Sequence, residues 1–342
     1  MKYLYVLVSD DSDYYLEQAL LSITSLRLQM PNAFISLLVD DITGANFSGK
    51  RGEILKLVNE FKSIVIDGNF NKKARSRWLK TSMRMHITGD FLYIDNDTII
   101  SGDLSALDAL NVELGAVPDN HVHLSEYEKY QPARLKRMKK KYEKLGFISC
   151  FDLDMHFNGG IFLCRDCKTA HNFFEEWHRL WLHCFQLGNL TDQQSLNQSN
   201  FILGSVIKEI DGIWNCQILN DGALRYLYDA KIIHYFDSRI GEKTFLLANK
   251  EYTESIRKTG TVNDEIKELI KKSKSLFASN TRLMLIDKSM REFYDSAICG
   301  AAKRIYYTKL GAVIEFIFSI IKKYIFTPVR KKFFLRKKNV SL

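Results

Sequence analysis

The sequence predicts an α/β fold in which an open, mixed but mainly parallel sheet is flanked by helices, followed by a basic helical extension. Three observations predict it. Short apolar runs rich in Val, Ile, Tyr and Phe recur between residues 3 and 236, amphipathic stretches lie between them, and the excess positive charge is confined to residues 303–342. Alternating strands and helices build parallel sheets because each helical crossover returns the chain to the same end of the sheet.

In chain order, Tyr3 to Val8, Phe34 to Val39, Ile64 to Ile66, Phe91 to Ile94, Leu114 to Val117, Phe157 to Leu163 and Ile232 to Phe236 read as buried strands. Leu16, Ala19, Leu20, Ile23 and Leu26 repeat at helical spacing between the first two, and Ile54 to Phe61 and Trp78 to Ile87 are expected to behave similarly. The segment His121 to Asp154 breaks the rhythm. It carries Arg134, Lys136, Arg137, Lys139, Lys140 and Lys141, and reads either as a helical lid or acceptor segment or as a solvated helix. The expected organisation is a domain over 1–245, a helical connection over 246–302 and a basic tail over 303–342.

With 342 residues, 46% of them hydrophobic, the chain can bury a sizeable core, and four prolines and 18 glycines leave no room for a long flexible linker. The formal charge of +9 needs locating before it is interpreted. Residues 303–342 hold eleven Lys or Arg against the single acid Glu315, so the tail carries +10 and the rest of the chain −1. A neutral body argues against a nucleic-acid reader, which spreads charge over a folded face. Basic residues interleaved with Phe, Ile and Tyr point instead to an anionic membrane surface. The longest apolar stretch there, Leu310 to Ile321, is interrupted by Glu315 and is shorter than the roughly 20 residues a spanning helix needs, so the tail is expected to lie on the membrane. A helical hairpin packed on the body or on a second subunit is the alternative.

Met1 to Val8 runs straight into Ser9, Asp10 and Asp11 and reads as a first strand, not a signal peptide, which implies a cytoplasmic location peripheral to the inner face of the membrane. The six cysteines are then reduced. Cys164 and Cys167 form a CxxC followed by His171, His178 and His183, but a structural zinc site needs four ligands at fixed spacing and no second CxxC exists.

The segment Phe91-Leu-Tyr-Ile-Asp95-Asn-Asp97 ends an apolar strand on two carboxylates one residue apart. Residues i and i+2 of extended backbone point the same way, so Asp95 and Asp97 can face one cation, and a hard divalent ion held there can bridge to diphosphate oxygens. A solvated turn or a helix cap would use the same residues. Four further segments accompany them: Val8-Ser-Asp10-Asp11-Ser-Asp-Tyr14, Lys80-Thr-Ser-Met-Arg84-Met, His156-Phe-Asn158-Gly159-Gly160 and Leu190-Thr-Asp192-Gln193-Gln194. Downstream lie Asp211-Gly-Ile-Trp214-Asn215 and Ile232-Ile-His234-Tyr-Phe-Asp237-Ser-Arg239-Ile-Gly-Glu-Lys243.

Together these segments resemble, in order and over roughly residues 1–240, the family 8 glycosyltransferases. These are retaining enzymes with a GT-A (Rossmann-like) fold and include bacterial lipopolysaccharide and capsule galactosyltransferases. The resemblance implies a UDP-sugar donor and a saccharide or glycolipid acceptor. It implies that Asp10 or Asp11 and Tyr14 meet the uridine, that Arg84, Asp95 and Asn96 reach the donor, and that the Asn158 amide bonds the donor sugar, with Gly159 and Gly160 allowing close backbone approach. It further implies that Asp192 contacts sugar hydroxyls, that Gln193 lies near the anomeric carbon, and that His234 joins Asp95 and Asp97 as the third metal ligand. A nitrogen donor in that set favours Mn²⁺, with Mg²⁺ the alternative. The chain departs from the family at Gln194, where a second Asp is usual, and at Asp237, where a Gly is usual. It also lacks the Lys-Pro-Trp run, so Arg239 or Lys243 is left to bind the diphosphate. Trp214-Asn215 resembles a family element to which little functional weight attaches. Two other readings stand beside this one: a different DxD enzyme, such as an inverting glycosyltransferase or nucleotidyltransferase, and a catalytically silent protein of the same fold that assists membrane assembly.

Overall fold

The computed structural model describes residues 1–130, 132–147, 149–218, 223–235, 245–276, 296–306, 308–321 and 324. Two compact units divide the chain, Met1–Ile286 and Asp287–Leu342. In the first, a seven-stranded sheet has the order β3-β2-β1-β4-β7-β6-β8. Its strands are β1 (Lys2–Leu7), β2 (Phe34–Asp40), β3 (Glu60–Ile64), β4 (Phe91–Ile94), β6 (Leu114–Pro118), β7 (Phe157–Cys164) and β8 (Ile207–Glu209). β5 (Thr98–Ile100), β10 (Ile232–His234) and β9 (Cys216–Gln217) form a small second sheet. β7 runs antiparallel to β4 and β6, while the other pairings of the large sheet are parallel, so the sheet is mixed and mainly parallel as expected.

The central strands are buried on both faces, and β1 shows how the sequence arranges it. Tyr3, Tyr5 and Leu7 share a core with Leu16, Leu20 and Ile23 of α1 (Tyr15–Gln29). Leu4 and Val6 pack with Leu79 and Met83 of α3 (Lys72–His86) and with Phe173, Phe174 and Trp177 of α6 (Lys168–Gln186). Successive side chains of a strand point to opposite faces, so a strand covered on both sides reads as one continuous apolar run.

Two expected elements differ. The helix expected over Ile54 to Phe61 is a 3₁₀ stretch, Gly49–Leu57, that buries only Ile54, and the strand that follows is Glu60–Ile64 instead of Ile64 to Ile66. β3 is an edge strand with only two apolar residues, Phe61 and Ile64, and Phe61 is exposed, so no apolar run marks it. α3 starts at Lys72, six residues before the apolar pattern, because Asn71 caps it by accepting from the Ala74 amide at 2.9 Å. The basic segment forms α4 (Leu124–Tyr130) and α5 (Pro132–Glu143), and α5 buries Leu135 and Tyr142. α7 (Gln193–Ile202) crosses α6.

Residues 246–276, the first part of the expected connection, belong to the body. Helices Lys250–Thr259 and Asp264–Lys271 bring Ile256, Ile266 and Ile270 into the core shared with α1. Considered by itself, the second unit contains helices Ala297–Tyr306 and Lys309–Ile321, with Ile298, Leu310, Val313 and Phe316 exposed. Among the described residues no helix is long and apolar enough to cross a membrane.

Candidate active site

β4 ends at Ile94, and the chain passes through Asp95, Asn96 and Asp97 into β5, which puts the two carboxylates at the carboxyl end of a central strand. β10 lies antiparallel to β5 with His234 opposite Thr98, and the Tyr235 amide donates to the Asp97 carbonyl at 3.1 Å. His234 Nε2 thereby stands 3.3 Å from Asp97 Oδ1 and 4.0 Å from Asp95 Oδ2. One ligand atom from each of the three residues lies within 4.8 Å of the others. Opposite ligands of one divalent cation lie roughly 4–5 Å apart, so the group fits such an ion. Among the described residues no second cluster of this kind exists, and the cysteines are free.

Asn215 sets the imidazole. Its Oδ1 is 3.0 Å from His234 Nδ1, and its Nδ2 donates to Asn158 Oδ1 at 3.0 Å. Asn158 in turn donates from Nδ2 to Asp119 Oδ1 at 3.1 Å and accepts from the Gly160 amide at 2.9 Å. With its amide nitrogen committed to Asn158, Asn215 can only accept from His234, so Nδ1 carries the proton and the Nε2 lone pair is turned toward the carboxylates. This is the tautomer a cation requires. A Cβ on Gly160 would stand 2.3 Å from His234 Cε1, so the missing side chain there makes room for the imidazole.

Two cations balance the carboxylates. Lys80 Nζ is 3.2 Å from Asp95 Oδ1 and 3.4 Å from Asp192 Oδ2, and Arg77 Nε is 3.1 Å from Asp192 Oδ1. Tyr93 Oη also donates to Asp95. Asp192 precedes α7 but makes no side-chain capping bond, which removes helix capping as the reason for this residue. Burial pushes its carboxyl upward, yet Lys80 and Arg77 outweigh that and hold it below the ordinary carboxylate range. The same Asp192 charge raises Arg77. Gln193 Nε2 donates to the Phe157 carbonyl, which ties α7 to the start of β7.

The family model for "Glycosyl transferase family 8" matches residues 6–242. The chain belongs to glycosyl transferase family 8. A crystal structure of an active-site mutant of LgtC shares the fold, with a TM-score of 0.51 at 16% identity over 78% of this chain and 99% of that one. The galactosyltransferase LgtC in complex with donor and acceptor sugar analogs aligns with a TM-score of 0.47 at 14% identity, over the same 78% and 99%. GlyE of Streptococcus pneumoniae TIGR4 aligns with a TM-score of 0.45 at 18% identity, over 82% of this chain and 66% of its own. No curated protein matches the sequence. The protein is thus a glycosyltransferase of GT-A fold.

Within this family 8 glycosyltransferase, Asp95, Asp97, Asn158, Asp192, Gln193 and His234 are brought together by the ends of β4, β7, β10 and α7. Gly159 faces Lys80: a Cβ there would meet Lys80 Nζ at 3.8 Å, an ordinary contact. Asn96 donates to the Val6 carbonyl at 3.0 Å and anchors the loop to β1. Asp10, Asp11 and Tyr14 lie in the β1–α1 turn. There Asp10 Oδ1 accepts from Lys72 and from the Ser12 amide, both at 2.8 Å, while Asp11 pairs with Arg51 at 3.2 Å. Lys72 and the Ser12 bonds lower the Asp10 pKa.

Arg84 is a correction. Its guanidinium is buried at the opposite end of β4, donating to the carbonyls of Gly89 (2.9 Å) and Ile87 and standing 4.8 Å from the Phe91 ring. Arg77 and Lys80 occupy the site in its place. Seven residues are nearly two helical turns, so Arg77 and Arg84 share a face of α3 and differ by about 10 Å along its axis; the face was legible but not the height. Gly160 makes room for His234. Asn215, which carries little functional weight in the sequence reading, positions the imidazole of His234. Arg239 and Lys243 lie outside the described residues.

Proposed function

We propose that the protein is a divalent-cation-dependent, retaining hexosyltransferase that moves a hexose from a UDP-sugar to a saccharide or lipid-linked saccharide. The observation that carries this reading is the Asp95–Asp97–His234 group standing beside Lys80, Asp192 and Asn158 at one end of the sheet. The LgtC complex with donor and acceptor sugar analogs supports the same classes of ligand here.

Cleaving a sugar–phosphate bond leaves negative charge on the departing diphosphate and positive charge at the anomeric carbon. A cation held by Asp95, Asp97 and His234 would supply counter-charge for diphosphate oxygens, with Mn²⁺ favoured over Ca²⁺ by the imidazole and Mg²⁺ the alternative. Lys80 sits between Asp95 and Asp192, orients both carboxylates and adds positive charge on the diphosphate side. Asp192, kept ionised by Arg77 and Lys80, accepts hydrogen bonds from sugar hydroxyls. Gln193, with its Nε2 taken, has Oε1 left to face the developing positive charge. Retention places the acceptor on the leaving-group side, where a diphosphate oxygen takes its proton. The α4–α5 segment, closing over the donor, would exclude water.

The reaction is proposed to take place at a membrane surface. Its basic residues, and the exposed apolar side chains of Ala297–Tyr306 and Lys309–Ile321, support attachment to the inner face of the cytoplasmic membrane and a role in making a bacterial surface polysaccharide or lipid-linked oligosaccharide. The full chain is incubated with a panel of UDP-sugars plus Mn²⁺, Mg²⁺ or chelator, and UDP release and product anomer are measured. Release that needs the cation and gives a retained anomer is expected. An inverted anomer overturns retention; cation-dependent UDP binding without release from any donor identifies a catalytically silent protein.

A further inference from the structure

The β1–α1 turn and the first turn of α1 crowd four carboxylates together, Asp10, Asp11, Asp13 and Glu17, and cations from three distant segments hold them. Lys72 of α3 bridges Asp10 at 2.8 Å and Asp13 at 2.7 Å, and Arg51 reaches Asp11 at 3.2 Å. The third cation is Arg257, on the helix Lys250–Thr259. It donates to both oxygens of Glu17, at 2.8 and 3.1 Å, to the Asp11 carbonyl at 3.2 Å and to the Asp13 carbonyl, and its guanidinium carbon stands 4.1 Å from the centre of the Tyr14 ring.

We propose that Arg257 is a positioning residue for the nucleoside end of the donor, so that the donor site extends past residue 242, where the family match ends. The inference rests on the nucleotide reading of the Asp10–Tyr14 turn given above. The turn has little backbone bonding of its own: the Asp13 amide reaches the Asp10 carbonyl at 3.5 Å, the long limit of a hydrogen bond. Its carbonyls at Asp11 and Asp13 are instead ordered by one planar fork whose remaining donors are fixed by Glu17, a carboxylate only 3% exposed. Burying that carboxylate unpaired would be costly, so the fork is not free to leave. Gly260 seats the helix. It ends the helix at φ +77°, and a Cβ there would stand 2.6 Å from the Lys50 carbonyl, one residue from Arg51. A guanidinium stands over the half-buried Tyr14 ring, and a planar base would seat against that ring. Ordering the turn before the ligand arrives removes an entropy cost from binding.

Arg257→Lys tests this in the full chain. Lysine keeps the charge beside Glu17 and the fold, but cannot span two carbonyls and stack on Tyr14 together. Calorimetry with UDP and Mn²⁺ should show affinity falling about tenfold, the cost of ordering on binding a turn that is no longer held beforehand. Donor KM should rise in step while kcat holds, the melting temperature should fall by no more than a few degrees, Mn²⁺ affinity without nucleotide should be unchanged, and amides 11–14 should exchange faster. Wild-type UDP affinity and exchange in Arg257→Lys overturn the inference alone, as does an affinity loss matched by a general fall in melting temperature. No UDP binding by the unmodified protein removes the nucleotide reading and the inference with it.

Discussion

The side chains at the centre of the site divide into those that would touch a cation and those that aim them. Asp97 belongs to the first kind. Asp97→Asn removes one negative charge 3.3 Å from His234 and should abolish cation-dependent UDP release while leaving the melting temperature within a few degrees, because the residue lies in the link between β4 and β5 and is not part of the core. Wild-type turnover at saturating Mn²⁺ would refute the metal assignment. Asn215 belongs to the second kind, and the two changes Asn215→Asp and Asn215→Leu separate its roles. Aspartate still accepts from His234 Nδ1 and keeps the tautomer, whereas leucine leaves Nδ1 without an acceptor. Mn²⁺ affinity, followed by electron paramagnetic resonance without donor, should therefore drop on the order of tenfold or more in Asn215→Leu and much less in Asn215→Asp, as expected for a partner that orients a ligand. Equal affinities in the two variants would show that Asn215 serves packing alone.

At the level of elements, the site is a meeting of strand ends. β7 passes β10 so closely that Gly160 and His234 occupy what would be one side-chain volume. Gly160→Ala should destabilise the fold by about 1–3 kcal/mol through overpacking, and should weaken Mn²⁺ binding further because the imbedded methyl displaces the imbedded ring. A variant with wild-type melting temperature and metal affinity would mean that β10 yields easily. Such cross-strand demands explain what the sequence could and could not show. Buried strands declare themselves by apolar runs, and Asp95, Asp97, Asn158, Asp192 and His234 stand beside such runs or at a helix start, which made them legible. Polar stretches conceal their elements: β3 carries only Phe61 and Ile64 as apolar residues along an edge, and α3 begins in Lys72-Lys-Ala-Arg-Ser-Arg before any apolar pattern. Periodicity fixes the face of a helix but not which turn lies beside a given strand end, and that is why the sequence pattern points to Arg84 where Arg77 and Lys80 stand. Asn215 acts only through two other side chains, and no local pattern records such a role.

On the scale of the whole molecule, two compact units carry different chemistry. The body is near neutral, and residues 303–342 hold the excess charge. At roughly 1 kcal/mol per basic residue near an anionic surface, half of the eleven would hold the chain on a membrane without a spanning helix. Deleting 303–342 should give protein that no longer sediments with anionic liposomes yet still releases UDP, and salt should weaken the attachment of the full chain. Liposome binding equal to that of the full chain would refute the membrane role, and unfolding of the truncated protein would place the tail in the core. Within the body, one rod joins both ends of the proposed donor site: Lys72 grips the β1–α1 turn and Lys80, on the same helix, grips Asp95 and Asp192. Eight residues of α-helix measure about 12 Å, so α3 acts as a gauge whose length loop motion cannot change. A free base or an inorganic diphosphate can fill one end of that gauge, and only a molecule long enough to reach from the turn to the metal-facing carboxylates can engage both.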